Sequence, residues 1–451
     1  MTNTFLRVAD FTLQTSPQNM PYSARRSAAL FLLDTLGIVA GSSPMAAGVI
    51  ARDTADLLYG TNSDKFAARM MFDGRKVSIA GAAYAAATQT DNLDGHDGYN
   101  PSKGHIGVVV IPALAALAET VADFSGPEAL AAVIIGYEVA GRAGISLHDT
   151  VDDYHTSGAW NALGVVAMAA RLRGMSVEQM CQAMGIAEYH GPRSQMMREI
   201  ANPTMLHDGS GWGAMVGISS AILAEKGFIG APAITIEGEN VEEHWKDLGE
   251  FWQMEHQYIK PYPICRWAHA AIDATRNLIL ESDLKPDDIK HIQVNSFHEA
   301  ACLFPTMPNN TSMAQYSLPF AVATMVAYRD IGVEHISGEG LRDPLVESIL
   351  KKITVTEVDK HSARFPTGRW ADVQITLKND KVVSSGDIHA RGGPEEPMNE
   401  DEIIQKFMRY ATPGLGQERS EKIVEAVLGF LEPESKFSDL GALIYDAPKQ
   451  H

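Results

Sequence analysis

The hydrophobic rhythm of this chain changes once, near residue 260, and that change bounds what it can fold into. Before it, alanine-rich segments carry apolar residues at helical spacing: SARRSAALFLLDTLGIVAGSS, VSIAGAAYAAATQ, IPALAALAETVADF, PEALAAVIIGYEVAGRAGIS, NALGVVAMAARLRG, SVEQMCQAMGIAEYH and GWGAMVGISSAILAEKGFIGAP. Alanine has the highest intrinsic helix propensity, and its small side chain lets helices approach closely. Ser23, Pro127-Glu128 and Ser176-Val-Glu-Gln read as helix starts, Gly41 and Gly227 as stops. Beyond residue 260, KHIQVNSFHEAA, KKITVTEV and ADVQITLKNDKVVSSGDI alternate apolar and polar residues, the last as a hairpin turning at Asn379-Asp380. HAAIDATRNLILES and AQYSLPFAVATMVAYRDIG interleave as helices, and NEDEIIQKFMRYA and SEKIVEAVLGFLEPE return to amphipathic helix. No β-α-β rhythm or glycine fingerprint is present, which excludes a doubly wound nucleotide-binding sheet. The expectation is a mainly α chain: a large all-helical domain plus a smaller α+β domain.

At 451 residues the chain exceeds one simple core, so two domains are expected. A net charge of -19 argues against nucleic acid and anionic membranes as partners, and leaves room for a small anion in a local cationic pocket. Cys181, Cys265 and Cys302 lie far apart, so neither a disulfide framework nor a cysteine-rich metal site is expected. Cys265 sits in a proline-rich apolar context and reads as inert. The opening MTNTFLRVADFTLQTSP lacks the apolar core of a signal peptide, and no apolar run reaches the roughly 18 residues of a membrane span. The expected location is the cytoplasm.

Four polar segments carry the chemistry. Asp91–His105, DNLDGHDGYNPSKGH, gathers three aspartates and two histidines within fifteen residues, directly before an apolar run. Asp94, His96, Asp97 and His105 can serve as general acids or bases, as substrate anchors, as ligands of a divalent ion, or simply as the turn formers of a solvated loop. Asp153–Gly158 places His155 ahead of a helix, where an anion can bind, or is a plain polar loop. His207–Gly213 has glycines that allow close backbone approach but lacks the phosphate-loop pattern. Lys260–His269 is stiffened by Pro261 and Pro263, so that Lys260 or Arg266 can clamp a carboxylate, with His269 on the same helical face as Arg266; surface charge on an interdomain linker is the alternative. No serine-hydrolase elbow, zinc helix or kinase signature occurs.

In this order, LDTLGIVAGS, GHIGVVVIPALAALAE, GYEVAGR, YHTSG, GWGAMVGISSAILAEKGFIG, IKPYPICRWAHAAID, AQYSLPFAVA and FPTGRWADVQITLKND resemble the MmgE/PrpD family over nearly the whole length. The resemblance implies a helical domain built from both chain ends (1–262 and 398–451) with an α+β domain (263–397) inserted, a site between them, a homodimer, and no metal or organic cofactor. It implies proton removal next to a carboxylate of a small di- or tricarboxylate. Asp94, His105, His155, His207 and Lys260 fall at the family's catalytic positions, and His96, Lys103, Arg266, His269 and Tyr316 are expected to bind substrate. The chain departs from the family at LDGHD, where Gly95 and His96 replace an aromatic and an acid, at His207, which stands for a lysine, and at Phe320, which stands for a tyrosine. The leading expectation is a cofactor-independent hydro-lyase of the 2-methylcitrate dehydratase kind. His155 is its base, Lys260 with His105 and Arg266 holds carboxylates, and Asp94 or His207 protonates the departing hydroxyl. An epimerase acting on a dicarboxylate, of the iminodisuccinate kind, a decarboxylase and a non-catalytic carboxylate-binding protein are the rivals.

Overall fold

A computed structural model describes residues 1–448. The helix Gly107–Ala118 stands at the centre of the first part, buried from Gly107 to Leu117. It touches Tyr22–Ser42, Ile79–Asp91, Gly126–Thr150, Ala162–Leu172 and Ser210–Glu225. A helix that is apolar all round needs neighbours on every side, and these alanine-rich partners supply them. Gly126–Thr150 is long and apolar enough to cross a membrane, unlike what the sequence suggested, but 94% of its apolar window is buried inside the protein. It is a core helix.

Local signals set most helix ends. Ser125 accepts from Glu128 N at the start of Gly126–Thr150, and Ser176 with Gln179 forms a capping box on Val177–His190. Two expectations fail for packing reasons. Ser23 does not cap its helix, which begins at Tyr22; its hydroxyl donates to Glu255 instead. Gly41 does not stop that helix but lies within it, because the helix Glu400–Leu415 packs along this face: a Cβ on Gly41 would stand 3.0 Å from that of Tyr410. The chain's C-terminal helices thus complete the first core.

The segment after residue 262 builds a separate core on a sheet with strand order Ile353–Glu357, Ile289–Ser296, Trp370–Leu377, Val382–Ser384. The first pair is parallel and the others antiparallel, with Ile388–His389 added beside Trp370 and Ala371. Ile292, Val294, Val373 and Ile375 face inward, where the helices His269–Glu281 and Leu318–Tyr328 cover them. AQYSLPFAVATMVAYRDIG is not one helix: it breaks at Tyr316, and Ser317 caps a second helix by accepting from Phe320 N. Ile38, Leu93, Met196 and Tyr410 of the helical part reach into this second core, so the two parts meet through apolar contact.

Candidate active site

The loop Asp94–His105 runs straight into the central helix, so its geometry is fixed by the best-packed element of the protein. It is not a solvated loop. Asp94, His96, Asp97 and His105 are all buried. Backbone bonds tie Gly98 to Tyr258 in both directions, at 3.1 and 2.8 Å, and Tyr99 to Gly104 at 2.9 Å. A side chain on Gly98 would collide with the Tyr258 hydroxyl and come within 2.9 Å of His105 Nδ1. Asp97 accepts from Gly107 N at the helix entry, and Lys406, from the helix Glu400–Leu415, donates to Gly95 O at 2.7 Å.

Four side chains from three segments converge. Lys260 is fully buried and donates to Asp94 Oδ1 at 2.5 Å and Asp94 O at 3.1 Å. Burial opposes its charge, but Asp94 beside it holds its pKa above the ordinary lysine value. Burial lifts the Asp94 carboxyl to about 6 against the pull of Lys260, so the pair is charged at neutral pH. His105 Nδ1 lies 2.6 Å from Asp97 O. A carbonyl only accepts, so Nδ1 carries the proton and Nε2 keeps its lone pair. Burial, followed by repulsion from Lys260, lowers the His105 pKa to about 4. Its Nε2 stands 3.5 Å from Asp208 Oδ2. Asp208 is itself anchored, accepting from Ser157 N and Oγ at 3.0 Å, while Ser157 Oγ accepts from His105 N at 2.9 Å.

These groups line an enclosed cavity of about 20 Å³ between the two parts, together with Lys103, Tyr154, Tyr258, Arg266, Tyr316 and Arg369. The Tyr316 hydroxyl is hydrogen-bonded to Glu199 Oε1 at 2.5 Å. Burial, reinforced by Asp208, raises the Glu199 carboxyl well above the usual range. Glu199 and His207 also line an open cleft on the far side of Tyr316, which extends to Trp212.

Six of the ten expected residues line the cavity, and four, His96, His155, His207 and His269, stand outside it. His155 does not line it. Neighbouring residues in extended chain point to opposite sides: Tyr154 turns inward, its hydroxyl donating to Lys103 O at 2.7 Å, and His155 turns away, bridged through its backbone to Gln195. His207 is screened by Tyr316, with ring centroids 5.4 Å apart. His96 packs behind His105, with ring centroids at 4.5 Å; neither ring nitrogen makes a hydrogen bond among the described residues, and Nε2 lies 3.8 Å from Asp91 Oδ1. His269 is turned to Ile264 O at 2.9 Å and shapes the turn that carries Arg266. Arg266 and Lys103 line the cavity, and Asp94 is the ion-pair partner of Lys260 rather than a free acid. Asp208, Tyr154, Tyr258, Glu199 and Arg369 were not foreseen as site residues, although Asp208 and Arg369 lie inside segments the sequence already marks.

Asp94, His96 and His105 each place a ligand atom within 4.8 Å of the others, as do His361, Asp372 and Asp387 on the sheet. Lys260 already pairs with Asp94, and Lys360 with Asp372 and Asp387 at 2.7 and 2.8 Å.

The MmgE/PrpD N-terminal domain matches residues 6–242 and the MmgE/PrpD C-terminal domain residues 262–429. The chain belongs to the MmgE/PrpD family. It is similar to cis-aconitate decarboxylases: 23% identical to that of Aspergillus terreus over 84% of this chain and 83% of that protein. For the Mus musculus enzyme the identity is 23%, covering 77% of this chain and 74% of that one, and for the Homo sapiens enzyme 24%, covering 77% and 75%. The MmgE/PrpD C-terminal match ends at residue 429, within helices that pack on the first core.

Proposed function

We propose that this MmgE/PrpD chain, an enzyme of the lyase type, removes the proton α to a carboxylate of a small di- or tricarboxylate and expels a β-hydroxyl as water, without a metal or organic cofactor. The observation that carries this reading is the His105 tautomer: a bare Nε2 facing the cavity, with Asp208 placed to stabilise the imidazolium once the proton arrives. Lys260, kept charged by Asp94, stabilises the enolate-like charge; such preorganised electrostatics is often the largest catalytic contribution. Tyr316 hands its proton to the departing hydroxyl and recovers one from Glu199, which communicates with solvent through the open cleft. The C–H pair becomes the new π bond, the C–O pair leaves with the hydroxyl, and one water is released.

A decarboxylase reading is favoured by the relatives' names, while Phe320 leaves a hydroxyl absent where the resemblance expects one. A screen of hydroxylated and unsaturated di- and tricarboxylates, followed by NMR in deuterated water, tests the proposal. An alkene product with deuterium in recovered substrate is expected. CO₂ release, or exchange without any alkene, contradicts it. Tyr316→Phe is expected to lower alkene formation about 10²–10⁴-fold while α-deuterium exchange persists.

A further inference from the structure

Four arginines are buried in this protein, Arg52, Arg142, Arg266 and Arg369. Arg52 pairs with Asp73 at 3.1 Å and Arg142 with Glu138 at 2.5 Å. Among the described residues, Arg266 and Arg369 form no ion pair, and both face the cavity. Arg266 donates to the backbone oxygens of Arg391 and Ala390, at 2.6 and 2.8 Å, and lies 4.3 Å above the Tyr258 ring. Arg369 donates from Nη1 to Pro366 O and lies over Phe365; its Nε is buried without a partner, and no hydrogen bond within the described residues engages Nη2. A buried charge without a counter-charge costs several kcal/mol. Here two such charges of the same sign share one wall, each repelling the other and each weakened by burial. Both arise from the inserted domain, from the turn after Lys260 and from the start of the strand Trp370–Leu377. His105 and Asp208 come from the helical part, while Tyr316 belongs to the inserted domain as the arginines do.

We propose that Arg369, backed by Arg266, is an anion subsite that receives a second, non-reacting carboxylate of the substrate. This rests on the proposed function and adds to it. The arginines of the inserted domain then select di- and tricarboxylates over monocarboxylates. A guanidinium offers a planar fork matched to a carboxylate, and its discrimination against a neutral amide follows from charge.

The test is a cycle of ligand and protein changes read by calorimetry on the full chain. Glutarate and its monoamide, glutaramate, are titrated into the unaltered protein, R369K and R369M, with propane-1,2,3-tricarboxylate as the three-carboxylate probe. The expected result is a preference of at least about tenfold for glutarate over glutaramate, reduced in R369K and abolished in R369M. The unliganded R369M protein is expected to melt no lower than the original, because an uncompensated buried charge has been removed, and a merely structural arginine would not behave this way. An undiminished preference in R369M, a lowered melting temperature of that variant, or no binding of glutarate at millimolar concentration overturns the subsite. The two readings separate cleanly. Intact discrimination by Arg369 in a protein that exchanges no α-proton with deuterated water sinks the lyase reading alone. Exchange that proceeds with no role for Arg369 in affinity sinks the subsite alone.

Discussion

Asp94, Lys103 and His207 hold backbone φ angles of 54°, 57° and 43°. This left-handed conformation costs a side-chain-bearing residue about 1–2 kcal/mol, and here it recurs in the segments that build the site. Strain of this kind persists where the surroundings over-determine a geometry, as they do around a preorganised centre. Lys103→Gly is therefore expected to leave stability unchanged or raise it by up to about 1 kcal/mol, read by chemical denaturation, while weakening carboxylate binding. The ionisation of the pair sets the pH response. His105 stays neutral above about 4, and Asp94 ionises only above about 6. Activity should thus rise as pH climbs through 6, when the carboxylate that holds Lys260 forms, and Asp94→Asn should abolish that limb in a kcat/KM profile. Retention of the limb at the same pH in D94N would place the titration elsewhere. Asp94, His105 and Lys260 could be read from the sequence because each sits beside a recognisable pattern. The inward turn of Tyr154 in place of His155 could not, because the phase of an irregular segment is set by what packs against it. Arg369 was hidden for a related reason: its lack of a counter-charge is a statement about three-dimensional neighbours, and its own segment FPTGRW says nothing of them.

At the level of elements, the site loop depends on the far end of the chain. Lys406 bonds Gly95 O and pairs with Asp34 at 2.7 Å, both side chains being buried. Breaking a buried pair by removing one partner costs about 3–5 kcal/mol. Lys406→Met is expected to destabilise by that order in denaturant titration, and adding Asp34→Asn should recover part of the loss. No recovery in the double variant would mean that the bond to Gly95 matters more than the ion pair. This tie spans more than 300 residues, so no local pattern announces it. The helices themselves were legible where capping and periodicity agree, as at Ser125 and Ser176. The hairpin was too: Trp370–Leu377 and Val382–Ser384 turn around Asp380, whose φ is 61°. Gly41 was misread because a glycine that permits close helix approach looks the same in sequence as one that ends a helix.

Two cores in contact enclose a cavity that holds roughly one water by volume, whereas a tricarboxylate is many times larger. Substrate binding is therefore expected to move the inserted part away from the helical part, about the chain segments near residues 260 and 392 that join them. Binding of propane-1,2,3-tricarboxylate should slow proteolysis and hydrogen exchange at these joins, and unchanged protection would argue for entry by side-chain motion alone. The exposed Leu206 and Trp212 line the open cleft and offer an apolar surface to the homodimer that the family resemblance implies. Light scattering is expected to give twice the chain mass, falling to one for Trp212→Asp. The change of periodicity near residue 260 marks the helical and inserted parts, but the cavity they share exists only once they meet. The assignment of the base within that shared site is the central claim, and solvent-deuterium exchange into the substrate by His105→Gln and His155→Ala measures it most directly. H105Q is expected to lose about 10²–10⁴-fold in exchange, and H155A to exchange near-normally. Normal exchange by H105Q with its loss in H155A would contradict that assignment.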